Sequence, residues 1–170
     1  MTIICRLLRV APATERALRS GETTLEAATA SAKDASDVYR YWGGVSALLG
    51  AHAPGSAAAR WRHLGAAVGP ERAPLPRAQA LAPAEVAELA AALAGIAPED
   101  LAPHYDAERL DLAETYPACW ARWEETFDPL GQLLEHYHFL RQFTAGAAAA
   151  GEAALFVYED DGDPPWVDDD

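Results

Sequence analysis

Residues 153–158 read AALFVY, six apolar residues in succession, and this run constrains the fold more than any other segment. A run this short, rich in β-formers and stopped by Gly151 before it and acids after it, reads as a strand. With no polar residue at alternate positions, it must be buried on both faces or lie centrally in a small sheet. A second apolar strand is expected at 2–10, with Ile3, Cys5 and Leu7 on one face and Ile4, Arg6, Leu8 and Val10 on the other. A third, short one fits 78–81.

Most of the remaining chain carries helical signals. Pro12 opens a short helix to about Arg19, and Pro83 opens one with Val86, Leu89, Leu93 and Ile96 along a stripe. Glu85 stands where a capping-box acid would, Asp106 reads as the cap of a short helix, and Asp128-Pro129 starts the longest, 129–150. Further helices are expected at 22–33 and 37–49. In the second of these, Gly43-Gly44 predicts a break or a close backbone approach, since each glycine costs about 1 kcal/mol in a helix. The segment 50–80, broken by prolines and glycines, predicts an elaborated loop with a helical island at 56–67. Together these elements predict an α+β fold, mostly helical, with a small sheet joining the N-terminal and C-terminal strands.

A length of 170 residues fits one domain, expected over 1–158. Residues 159–170, EDDGDPPWVDDD, form an acidic tail expected to be disordered. That tail holds seven acids, so about half of the net charge of −13 belongs to it rather than to the body. No basic footprint for nucleic acid is present, and no apolar run of about 18 residues predicts a membrane span. The start, MTIICRLLRV, lacks the features of a signal peptide. Two cysteines without ligand or disulfide spacing predict a reducing, cytoplasmic setting. Abundant Ala, Gly and Pro with a single lysine, Lys33, predict a bacterial origin.

Five residues stand out as candidate ligand contacts. Arg6, in an apolar strand, reads as an anion-binding group or as one half of a structural ion pair. Trp42, Tyr116 and Trp120 read as walls of an aromatic pocket or as core; Trp120, Trp123 and Phe127 have the spacing of a helix stripe. Asp106 reads as a general acid or as an N-cap. No metal site or cofactor is expected, because the histidines His52, His63, His104, His136 and His138 show no ligand spacing. Cys119 lacks the neighbours of a nucleophile, and no nucleotide or hydrolase motif occurs. The primary functional reading is therefore a non-catalytic binding or interaction module, with a protein or small ligand as partner. The alternative is a small enzyme or ligand binder with a pocket near Arg6, Asp106, Tyr116 and Trp120. Pro164-Pro165-Trp166 in the tail reads as a docking motif or a plain solubilising segment.

Four blocks, IICRLLRV, LAPAEVAELAAALAGI, HYDAERLDLAETYPACW and LLEHYHFLRQFTAGAAAAGEAALFVY, in this order and spacing resemble the YfbM-like bacterial proteins, a domain of unknown function. The resemblance implies a single α+β domain and no established activity. Its members often carry Trp-His-Gly followed by a second histidine, where this chain reads YWGGVSALL. Trp42 is kept, and Gly43 and Ser46 take the histidine positions. The segment PLPRAQA likewise stands where relatives have tyrosine and glycine.

Overall fold

The strand Ala153–Asp160 (β5) occupies the middle of a five-stranded antiparallel sheet. A computed structural model of the chain describes residues 2–72 and 75–160. On one side β5 pairs with Ile3–Val10 (β1), and β1 pairs with Asp34–Tyr39 (β2). On its other side lies Leu75–Leu81 (β4), flanked by Ala66–Arg72 (β3). The sheet therefore does join the two ends of the chain as predicted.

Alternation along β5 divides the interior in two. Ala154, Phe156 and Tyr158 enter a large core with Cys5 and Leu7 of β1, while Ala153, Leu155 and Val157 enter a smaller one with Leu8 and Val10. The smaller core is roofed by Pro12–Ser20 (α1) and Leu25–Ala30 (α2), capped by the Thr24 side chain. The larger is covered by Trp42–His52 (α3), Pro83–Ala94 (α4), Pro98–Leu101 (α5), Ala107–Leu112 (α6), Trp120–Trp123 (α7) and Pro129–Ala149 (α8). The fold is α+β.

Helix caps follow the sequence closely. Asp106 accepts from the Arg109 amide and Asp128 from the Gly131 amide. Glu85 accepts from the Ala82 amide, the half of a capping box that an alanine cap permits. Asp111 was not foreseen in its role: its two carboxylate oxygens accept from the Trp120 and Ala121 amides and start α7. Along α8, Tyr137 donates from its hydroxyl towards the Leu93 and Ile96 carbonyls and ties that helix to the end of α4.

The structure corrects several expectations. The helix expected over 37–49 begins only at Trp42, because 34–39 is an edge strand anchored by the buried Val38. The 22–33 helix is confined to α2. The 56–67 island is a set of turns with one 3-10 turn, Trp61–His63, running into β3. Both unforeseen strands, β2 and β3, are sheet edges. An edge strand needs little apolar patterning and tolerates a proline or a bulge, and β3 has Pro70 and a register shift between Val68 and Glu71. Helix α3 is not broken at Gly43-Gly44; the close approach is what occurs there. The expected acidic tail lies outside the described residues from 161 onward, and Glu159 and Asp160 end β5.

Charged groups pin the small helical layer. Glu152 follows α8 and takes hydrogen bonds from Arg9 at 2.7 Å and Lys33 at 3.0 Å. Lys33 first, then Arg9, hold its carboxyl below the usual carboxylate range. Arg19 of α1 pairs with Glu15 and with Glu85, and donates to the Ala80 carbonyl at 2.7 Å.

Two outcomes test this packing. A Cβ at Gly44 would meet Leu133 and the buried Trp120 at 2.5 and 2.6 Å, whereas one at Gly50 meets nothing within 4 Å. Chemical denaturation should show Gly44→Ala losing about 1–3 kcal/mol and Gly50→Ala gaining up to about 1 kcal/mol. The Glu152 contribution is present above its unfolded value near about 4.3 and is lost as pH falls through the lowered folded value. Between about pH 5 and 3 the wild-type Tm should therefore fall more steeply than that of Glu152→Gln.

Candidate functional site

A cavity of about 430 Å³ opens between α3, the Trp61–His63 turn and the 113–116 segment. Each wall has a local cause. Trp61 is fully buried with its ring 5.6 Å from Phe156 of β5, which fixes the turn and presents its neighbour Arg62 to the cavity. Gly43 lets the Tyr116 backbone approach α3 so closely that any Cβ would strike the Tyr116 carbonyl. The Tyr116–Pro117 bond that follows is cis.

Trp42 organises the floor. Its indole N–H donates to the Ile3 carbonyl at 2.9 Å, and the Ile3 amide donates to the Tyr116 hydroxyl at 2.6 Å. The Tyr116 ring stacks on Trp42 at 4.7 Å and 9°. The Arg62 guanidinium lies 4.9 Å from the centre of the Trp42 ring, a cation–π contact. Ser46, one turn along α3, borders the same space, its buried hydroxyl without a hydrogen-bond partner among the described residues. His63 lies beside it.

The electrostatics are unusual for a half-buried arginine. Desolvation lowers the Arg62 pKa, and the ionisable groups it feels are Tyr158 and Cys5. Burial pushes both of those up, so both are neutral at pH 7 and neither balances the guanidinium. Glu114 also lines the cavity but makes no ion pair with Arg62. Arg9 and Arg19, with side chains 24% and 31% exposed, each hold two carboxylates. His63 is lowered by burial and by Arg62, which favours its neutral form.

Of the five candidates from sequence, Trp42 and Tyr116 come together here. Trp120 lies beneath them, fully buried, its indole donating to the Thr115 carbonyl. Asp106 caps α6 and does not line the cavity. Arg6 lies on the α2 side of the sheet and bridges to Glu159 at 3.3 Å, with both side chains more than a third exposed. Arg62 was not singled out from sequence, and Ser46 stood out only as a position where the family resemblance places a histidine; Trp61, a large aromatic inside a turn-rich segment, was the available signal that a neighbour would be held in place. Cys119 is away from the cavity, and burial with the nearby Asp111 pushes its thiol up to about 11, against nucleophile chemistry. Sequence spacing also missed that His52 and His104 meet, with ring nitrogens 3.3 Å apart.

No helix among the described residues is long and apolar enough to cross a membrane. No curated protein matches the chain. Among solved structures it is similar to "a Protein of Unknown Function YfbM from Escherichia coli", at 15% identity and a TM-score of 0.62, covering 91% of this chain and 98% of that one. At that identity the likeness establishes the fold. The profile of the family described as "Domain of unknown function (DUF1877)" matches residues 1–157. With nearly the whole described domain matched, and with the YfbM fold, the chain belongs to the DUF1877 family.

Proposed function

We propose that this domain is a binding module that takes a small anion, a carboxylate or a phosphate group, in the cavity against Arg62. The observation that carries the reading is a half-buried guanidinium with no carboxylate partner among the described residues. A charge partly withdrawn from water without a carboxylate partner is disfavoured, and a bound anion offsets that cost. Ala47, Ala59 and Ala113 line the same cavity and give the rest of the ligand an apolar surface.

The acidic chain repels anions at long range, but at physiological salt this field is screened beyond about 8 Å. Affinity then rests on short contacts inside the cavity. A protein partner that presents an acidic side chain fits the same chemistry. Leu112, 86% exposed beside the cavity-lining Ala113, offers it an apolar contact. A cytoplasmic location is supported by Cys5 and Cys119, which are both free thiols.

Titration calorimetry with inorganic phosphate and with small carboxylates tests the proposal. At least one should bind saturably, and Arg62→Gln should weaken it by about tenfold or more, the loss of a charge-assisted hydrogen bond. Because it orphans no carboxylate, Arg62→Gln should itself change stability by no more than about 1 kcal/mol. Unchanged binding in Arg62→Gln, or no anion binding by the parent, would sink the reading.

A further inference from the structure

We infer that His52 and His104 form a two-point site for a divalent transition-metal ion of the zinc, nickel or copper class. The site is separate from the anion cavity and does not rest on it. His52 is the last residue of α3, and His104 ends the 3-10 turn Ala102–His104 that follows α5. Buried anchors hold each: Leu48 and Leu49 seat the end of α3, and Leu101 seats the turn.

The geometry suits a shared ion. His52 Nδ1 and His104 Nε2 are 3.3 Å apart, with the ring planes 73° to each other. Two imidazole nitrogens bound to one tetrahedral ion at about 2.0–2.1 Å stand roughly 3.3–3.4 Å from one another. An N–H···acceptor hydrogen bond is most often near about 2.9–3.0 Å, so the pair sits at the long end for a hydrogen bond and at the bite of a chelate. Imidazole is a preferred ligand of these ions.

The proton between the rings does not obstruct binding. The ring that carries it can pass it to its own other nitrogen, and neither His52 Nε2 nor His104 Nδ1 has a partner among the described residues. Both nitrogens then offer lone pairs to the metal, and no net proton is released. No third His, Cys, Asp or Glu completes a group among the described residues, so the remaining positions on the ion go to water or to an outside ligand. Both rings are half-buried at the surface, which leaves an entry path. Two ligands without supporting hydrogen bonds imply a weak, exchangeable site rather than a structural one.

The test uses the full chain without an affinity tag, titrated with zinc chloride by calorimetry. One saturable site in the micromolar range is expected. His52→Ala and His104→Ala should each weaken it by about tenfold or more. His138→Ala, on the exposed side of α8, should leave it unchanged. NMR of the unmutated protein gives an independent reading: zinc should shift the His52 and His104 ring signals and spare those of His63, His136 and His138. Absence of a 1:1 site, zinc binding that survives both alanine variants, or ring shifts at other histidines would overturn the inference. Arg62→Gln should not affect zinc binding, so this result stands or falls apart from the anion site.

Discussion

A central strand that is apolar on both faces has to be covered twice, and this requirement shapes the whole domain. From Ala153 to Tyr158 every residue of β5 is buried. Each large aliphatic or aromatic side chain among them contributes about 1.5–3 kcal/mol only if its own face is sealed. One face is sealed thinly by α1 and α2, whose roof is small because Ala78, Ala80 and Ala153 leave little height to fill. The other is sealed by the helices from α3 to α8, with aromatic rings supplying the bulk that an alanine-rich sequence otherwise lacks. The pairing of β1 with β5 follows, since β1 has the same two-sided character: Cys5 and Leu7 face one core, Leu8 and Val10 the other.

The cavity is a consequence of how the thick side is sealed. Phe156 holds Trp61, Trp61 holds the turn, and the turn holds Arg62. On the opposite wall, glycine at 43 and 44 lets α3 press against Tyr116, Trp120 and Leu133 with no side chain between. Trp42 then reaches the end of β1 and stacks on Tyr116. The two positions where the family resemblance places histidines, Gly43 and Ser46, both line this space.

Features governed by burial were legible in the sequence, and features governed by edges or by distant encounters were not. β5, β1, α4 and α8 announce themselves by apolar pattern, and Asp106 by its place before a helix. β2 and β3 do not, because an edge strand has one exposed flank and little to bury; Asp34-Ala35-Ser36-Asp37 carries no strand pattern. Trp42 and Tyr116 were legible as aromatic candidates. Their union with Arg62, and that of His52 with His104, joins residues separated by loops, and no local spacing encodes such meetings. Arg6 and Asp106 drew notice as charges in apolar or helical context, and their partners, Glu159 and the Arg109 amide, account for both.

Arg62 remains the group that packing alone does not explain. The chain has many acids and uses them freely elsewhere: Arg9 meets Glu152 and Asp34, Arg19 meets Glu15 and Glu85, and Arg6 meets Glu159. Had only stability mattered, a carboxylate from the 113–116 segment could stand opposite Arg62, or a neutral side chain could replace it. Instead Glu114 lines the cavity without an ion pair among the described residues, while the guanidinium rests on an aromatic face near the neutral Tyr158 hydroxyl and Cys5 thiol. A cation–π contact contributes about 0.5–2 kcal/mol against its desolvation and supplies no negative charge to the guanidinium. Among the described residues no carboxylate meets Arg62, and the open cavity beside it is the space in which the proposed anion would sit.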